Sequence, residues 1–517
     1  MLPVLTVETP SKLKLEYGDF QTPLELAEKI CCKLLEMGVN PDIIIEPTCG
    51  IGNFIQAAAS SFQSAKQIIG FEINSAYLQP IQHNPDLLRD QRIQVQQGDF
   101  FEIDWSLVFD RSVDNSGDRS SQEILVLGNF PWVTNSQQGA IGGKNLPQKK
   151  NFQNHDGLDA ITGKSNFDIS EWMLIHLVQG LQQHKACLAM LCKTSVARKL
   201  LSYIRSKHLN LSACATYGID AKQYFDATVD ACLLVCKFHS HAQNYCCDVF
   251  DSLEAEMSYR IGYRNDVQVR DILSFDQLRD LHNSKKGSQS SLQWRSGIKH
   301  DCSKVMEFRK VNNQFINGLG EGVELEETYL FPLLKGSAVA QNRLEQTDRY
   351  VLVTQRYMGE PTEPLQNLAP KTWNYLLNHS KYLENRKSKI YDKSPRFSIF
   401  GVGFYTFSPW KIAVCGLYKK LSFRLVGELN GKATVFDDTV YFLSFDHETI
   451  ARQTFTLLTS ATALNFYSSL IFWDEKRPIK ASILNSLDLT ALAQKNYPRF
   501  LGHENGTLGI LPQNLLL

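Results

Sequence analysis

Between residues 13 and 240, short apolar runs alternate with helical patterns, and nothing else in the sequence restricts its fold as much. Ile43-Ile44-Ile45, Gln67–Phe71, Ile93–Val95, Ile124–Leu127, Ala186–Leu191, Leu211–Tyr217 and Ala231–Cys236 are brief runs of mainly apolar and β-branched residues. Such runs suit strands covered on both faces. Helical patterns between several of them supply the cover. Thr22-Pro23-Leu24-Glu25 reads as a capping box with Pro at the first helical position. Leu26, Ala27, Ile30, Leu34 and Met37 then recur at helical spacing, and Gly38 closes the helix. The pattern implies an α/β fold with a doubly wound, mostly parallel sheet.

A chain of 517 residues exceeds one core. The polar, Ser-rich, basic stretch 283–300 places a boundary there, giving domains 1–285 and 286–517, the second a mixed α+β unit. A chain 43% hydrophobic and 21% charged is not disordered. No run approaches the ~20 apolar residues of a membrane span, and the N-terminus lacks the pattern of a secretory signal. None of the twelve cysteines forms a C-x-x-C pair, and Cys187, Cys192, Cys232 and Cys236 sit in apolar runs. They read as buried thiols in a reducing compartment, the cytoplasm, with no metal site expected. Residues 137–166, rich in Gly, Asn, Gln and Lys, break the alternation and read as a functional loop.

Three strand ends carry chemistry. Ile43-Ile44-Ile45 runs into Glu46-Pro47-Thr48-Cys49-Gly50-Ile51-Gly52, a turn in which Gly50 and Gly52 let the backbone approach a ligand. Glu72, followed by Ile73, ends the next strand twenty residues past Gly52, where a carboxylate can accept from ribose hydroxyls. Asp99-Phe100 follows the third strand, and can offer an acceptor to an adenine amino group and an apolar face to its ring. Together they fit an adenosine-containing cofactor lying across the sheet's carboxyl edge.

After the strand Ile124–Leu127 comes Gly128-Asn129-Phe130-Pro131-Trp132. With the three strand ends, and with Gly18-Asp19-Phe20-Gln21-Thr22-Pro23 upstream, this segment resembles the amino-methyltransferases that use S-adenosylmethionine. The order of the segments, followed by a long C-terminal half, is similar to that of the gamma group, the TaqI-like adenine-N6 DNA methyltransferases of restriction–modification systems. The resemblance implies a class I, Rossmann-like catalytic domain and a C-terminal target-recognition domain. It implies cofactor contacts at Thr22, Glu46, Pro47, Cys49, Gly50, Gly52, Glu72, Ile73, Asp99 and Phe100, with Thr22 toward the cofactor's methionine carboxylate. It implies catalysis at Asn129, Phe130, Pro131 and Trp132 and a base contact at Phe225. Phe130 departs from the family, which most often has Pro there.

The chemistry accounts for these residue types. An adenine amino nitrogen is a poor nucleophile because its lone pair is delocalised into the ring. Acceptors on both hydrogens, the Asn129 side-chain oxygen and the carbonyl of residue 130, localise it, while Trp132 stacks on the base. Neither a metal nor a covalent enzyme intermediate is required. A base within a duplex must be flipped out to reach such a site.

The formal charge is +0, yet residues 371–424 hold 11 Lys or Arg against two Asp or Glu, a local balance of +9 interleaved with aromatics. This stretch is expected to contact double-stranded DNA, with Arg386, Lys387 and Lys389 at its densest point, and Lys144, Lys149 and Lys150 of the loop are expected to reach the flipped base and its phosphates. Phe331-Pro332-Leu333-Leu334-Lys335-Gly336 resembles a segment of target-recognition domains. No nuclease constellation accompanies it, so a partner restriction endonuclease would be a separate chain. A bacterial cytoplasmic enzyme associated with the nucleoid is the expected setting. The same acceptor pair would also serve RNA adenine, cytosine N4 or a protein glutamine amide, and an inactive nucleic-acid-binding relative is the reading outside enzymes.

Overall fold

The computed structural model describes residues 21–112, 122–132, 168–239, 241–283 and 292–496, and divides the chain into two compact units, 1–272 and 273–517.

The first unit is built on a ten-stranded sheet. Its first seven strands are β1 (Ile43–Glu46), β2 (Gln67–Glu72), β3 (Ile93–Gln97), β4 (Glu123–Asn129), β5 (Lys185–Lys193), β6 (Ala213–Ile219) and β7 (Ala231–Phe238). They lie in the order β3-β2-β1-β4-β5-β7-β6. β1 to β5 are mutually parallel; β7 is antiparallel to β5 and β6. This is the class I methyltransferase arrangement, Rossmann-like. The central apolar runs lie where the sequence put them because those strands are covered on both faces: β1 is buried throughout, and β4 and β5 are buried except at their ends, whereas the edge strand β3 has no fully buried residue. Cys187, Cys192, Cys232 and Cys236 are buried free thiols among them.

Three further strands extend the sheet beyond β6: β8 (Cys247–Phe250), parallel to β6, then the antiparallel β9 (Met257–Arg264) and β10 (Val267–Val269). They were not legible as strands because β9 has two buried residues among eight.

The helix α1 (Leu24–Glu36) buries Leu26, Ala27, Ile30 and Leu34 at helical spacing and ends at Gly38, whose φ of 71° requires no Cβ. The expected capping box is absent. Pro23 occupies the cap position, and no side chain caps the helix. Thr22 is left for another role. The helices α2 (Asn53–Ser61), α3 (Ser75–His83), α4 (Pro85–Arg89) and α5 (Trp105–Ser112) follow; α6 (Ile169–Gly180), α7 (Thr194–Ser206) and α8 (Ala221–Phe225) flank β5, β6 and β7 in sequence.

The second unit is mixed α+β. It has a four-stranded sheet of β11 (Arg295–Ser296), β17 (Trp410–Cys415), β18 (Arg424–Val426) and β20 (Val440–Phe445). Its six-stranded sheet comprises β12 (Glu307–Val311), β13 (Gln314–Asn317), β14 (Gly322–Val323), β15 (Leu330–Leu334), β16 (Arg349–Leu352) and β19 (Val435–Phe436). The helices α9 (Pro370–Asn378), α10 (Glu448–Leu458) and α11 (Ala461–Leu470) accompany them. The division falls at residue 272, not 285. Residues beyond 272 pack within the second unit: Phe275 lies 6.1 Å from Phe466 between ring centroids, and the Leu281 carbonyl accepts from Asp488 N–H at 2.8 Å.

Candidate active site

In a parallel sheet, ligands sit beyond the carboxyl ends of the strands where the strand order reverses. Here that point is β1, which has β2 on one side and β4 on the other. A cleft of roughly 1010 Å³, its solvent-open mouth included, lies there; Glu46, Glu72, Asp99 and Asn129 line it together.

The turn after β1 is shaped by its hydrogen bonds. Glu72 Oε2 accepts from Gly50 N–H at 2.9 Å, and Glu72 Oε1 accepts from Asn74 N–H at 2.8 Å. Gly50 has a φ of 52°, and a Cβ there would fall 2.3 Å from Gln21 Oε1. That oxygen accepts from Ile51 N–H at 3.2 Å, while Asn53 Nδ2 donates to the Thr22 carbonyl at 2.7 Å. The segment before α1 is thereby fastened to the turn. The Thr22 Oγ1 is buried at the cleft, without a hydrogen-bond partner among the described residues.

Three carboxyl groups, those of Glu46, Glu72 and Asp99, line this space. Glu46 is buried, and its Oε2 has no partner among the described residues. Burial first, and the neighbouring Glu72 carboxylate second, push its carboxyl well above the usual range. Burial likewise pushes the Cys49 thiol up, so Cys49 is a wall and not a nucleophile.

Asp99 Oδ1 accepts from Phe101 N–H at 2.9 Å, an arrangement that holds Phe100 against Phe130, their ring centroids 5.3 Å apart and edge to face. Asn129 ends β4 in register with Leu191 of β5. Its carbonyl accepts from Thr48 Oγ1–H at 3.2 Å, which ties the turn after β1 to the segment after β4. Phe130 is almost fully buried. Its ring occupies space beside Phe100, which is the packing reason for an aromatic residue at this position.

Of the residues singled out by sequence, Thr22, Glu46, Pro47, Cys49, Gly50, Glu72, Ile73, Asp99, Phe100, Asn129, Phe130 and Pro131 all line the cleft. Gly52, Trp132 and Phe225 are not among its lining residues. Gly52 serves packing: its φ is 87°, and a Cβ there would meet Ile81 at 2.8 Å. Trp132 is buried edge to face on Phe225, their centroids 4.9 Å apart. Ile169 and Met173 of α6 complete one wall, as Tyr77 does elsewhere. An apolar pair four apart on a helix carries no ligand signal, which is why the sequence did not reveal them.

The proposed phosphate contacts divide. Lys144, Lys149 and Lys150 lie outside the described residues. Lys387 and Lys389 are exposed. Arg386 is a strut: its guanidinium donates to the carbonyls of Leu383 at 2.7 Å, Ser398 at 2.7 Å and His300 at 3.3 Å and lies 3.6 Å above the Tyr391 ring. Donors committed to internal carbonyls are not available to phosphate, which leaves the Nη2 end of Arg386 for the expected contact. Lys335, in the Phe331–Gly336 segment, pairs with Glu307 at 2.7 Å.

Among the described residues, no group of three or more His, Cys, Asp or Glu is placed to hold a metal ion, and no helix is long and apolar enough to cross a membrane.

No protein-family profile matches the chain. The type II methyltransferase M.NspV of Nostoc sp. is 61% identical over 488 residues, 94% of this chain and 99% of its own. Among solved structures, the type IIL restriction–modification enzyme MmeI in complex with DNA superposes with a TM-score of 0.50 at 13% identity, over 98% of this chain and 73% of its own. The second likeness concerns the fold; the first establishes kinship, and this chain belongs to the type II methyltransferases.

Proposed function

We propose that this chain is a sequence-specific DNA methyltransferase of the gamma group, which methylates N6 of an adenine flipped out of the duplex as the modification enzyme of a restriction–modification system. Its cofactor is S-adenosylmethionine, which supplies an electrophilic methyl group on a sulfonium. The cleft's residues fit that molecule. The Glu46 Oε2 and Thr22 hydroxyl, without partners among the described residues, are suited to the charged methionine end. The Glu72 carboxylate, an acceptor at the end of β2, is placed to meet ribose hydroxyls. Asp99 and Phe100 can receive the adenine ring.

One observation carries the reading: Asn129 and Phe130 share a cleft with Glu46, Glu72 and Asp99. The Asn129 side-chain oxygen and the Phe130 carbonyl are the acceptors for the two hydrogens of the target amino group. Thr48 holds the Asn129 carbonyl and so limits the freedom of both. Acceptors fixed before the reaction need no reorganisation during it. The flipped base enters between Trp132 and Phe225. Stacking on both of its faces needs about 7 Å, two van der Waals spacings of ~3.5 Å, whereas their centroids are 4.9 Å apart. The rings must therefore separate and turn toward parallel, their planes now being 70° apart. DNA as substrate draws support from the exposed Lys387 and Lys389, from the basic stretch around them, and from the DNA held by MmeI. A cognate restriction endonuclease would be a separate chain.

Transfer of a tritiated methyl group to unmethylated DNA, followed by digestion to nucleosides, tests the reading. Label in N6-methyladenine is expected. Label in N4-methylcytosine, or in RNA or protein in place of DNA, would replace it.

A further inference from the structure

The second unit presents an apolar tip to solvent. Tyr357 is 44% exposed, Met358 53% and Phe404 74%, and the Tyr357 and Phe404 rings lie 6.2 Å apart between centroids. Single exposed apolar residues are ordinary. This group joins two turns more than forty positions apart in sequence, and each turn is braced from beneath.

The first turn is closed by Glu360 N–H donating to the Tyr357 carbonyl at 3.2 Å, with Gly359 at a φ of 83°. Such a turn puts glycine in its third place. Below it, buried Thr354 donates to the Phe397 carbonyl at 2.9 Å, and buried Gln355 accepts from Ile399 N–H at 2.9 Å. The second turn is closed by Thr406 N–H donating to the Gly403 carbonyl at 2.8 Å and by Gly403 N–H donating to Thr406 Oγ1 at 3.2 Å. Beside Phe404, the ring of Tyr405 lies under the exposed Arg295 guanidinium at 4.6 Å. Rings with few torsions, fixed on rigid turns and left in water, are arranged to bury apolar area at little entropic cost on contact.

We propose that this tip contacts nucleobases, inserting or stacking Phe404 and Tyr357 at a base step of the bound DNA. The inference rests on the DNA reading above. Three side chains match one or two base faces, whereas a stable protein interface needs about 800 Å² from each partner. The adjoining Arg295, in a unit whose residues 371–424 carry a local balance of +9, favours a polyanion. Apolar side chains wedged at base steps are an established means of bending duplexes.

The test uses full-length protein and linearised, unmethylated plasmid DNA in filter binding across a salt series. The double variant Tyr357→Ala/Phe404→Ala is expected to bind roughly tenfold to a hundredfold more weakly. Its salt slope should stay that of the parent, because neither ring neutralises a phosphate. Phe404→Trp should bind as the parent does, and the double variant should bind S-adenosylmethionine normally. If parent and double variant bind DNA equally, the tip does not touch bases and the proposal falls while the DNA reading stands. If DNA binding is unchanged but the parent sediments as a dimer and the variant as a monomer, the tip is a protein interface and the proposal falls. If the parent itself neither binds nor methylates DNA, both readings fall.

Discussion

Glu46 gives the sharpest prediction, because its surroundings oppose its own charge. It is buried, it faces Glu72, and its Oε2 lacks a partner among the described residues. Its carboxyl is therefore held protonated well above the ordinary range. A cationic group of the cofactor would favour the ionised form, so binding should release a proton. Below the raised pKa, affinity should rise with pH, about tenfold per unit at the limit, equivalent to ~1.36 kcal/mol. Above it the dependence should vanish. Calorimetry in two buffers of differing ionisation enthalpy measures the proton directly. Glu46→Gln should abolish the proton release and weaken the cofactor by about 3–5 kcal/mol, the cost of leaving one buried charge unpaired. The free protein should show the opposite trend in stability. A folded pKa raised above the unfolded value contributes stability that is fully present below that unfolded value and is lost as pH rises through the folded pKa. The Gln variant without cofactor should therefore melt higher than the parent at alkaline pH. No proton release, together with unchanged affinity in Glu46→Gln, would refute this account of the cleft.

Three further outcomes are expected. Asn129→Ala removes one acceptor and should lower the transfer rate by about a hundredfold to a thousandfold, while equilibrium dialysis finds cofactor binding intact. Lys387→Glu/Lys389→Glu should weaken DNA binding and flatten the logarithmic salt slope by ~0.9 for each phosphate no longer neutralised; Arg386→Ala should instead lower the melting temperature, since its guanidinium holds three carbonyls. Lys411 is buried, its Nζ donating to the Ser408 carbonyl at 2.6 Å, and burial lowers its pKa to about 7. Because that folded pKa lies below the unfolded one, its cost to stability grows as pH falls from the lysine range through about 7, and Lys411→Met should raise the melting temperature most at acidic pH.

What the sequence revealed, and what it hid, follows from where each signal resides. The central strands β1, β4 and β5 were legible because strands buried on both faces leave runs such as Ile43-Ile44-Ile45 without a polar residue. The cleft was legible because its chemistry sits at strand ends, which the same runs locate. Thr22 misled: a Thr three residues before a Glu has the spacing of a capping box, yet Pro23 takes the cap and the Thr22 hydroxyl is buried at the cleft. Arg386 was legible only in part. Charge density along the chain says nothing of where a guanidinium points, and this one gives its Nε and Nη1 donors to internal carbonyls. Phe404 lay within the basic, aromatic stretch 371–424, but the exposed Tyr357 was invisible for a related reason: an isolated aromatic residue in a sequence reads as core until a structure shows it in water.

Single-molecule sequencing of genomic DNA, from a methylation-free host expressing either the parent chain or Asn129→Ala, tests the central claim most directly. The account predicts N6-methyladenine confined to one sequence motif with the parent, and none with the variant. Modified cytosine with the parent, or undiminished methyladenine with Asn129→Ala, would contradict it.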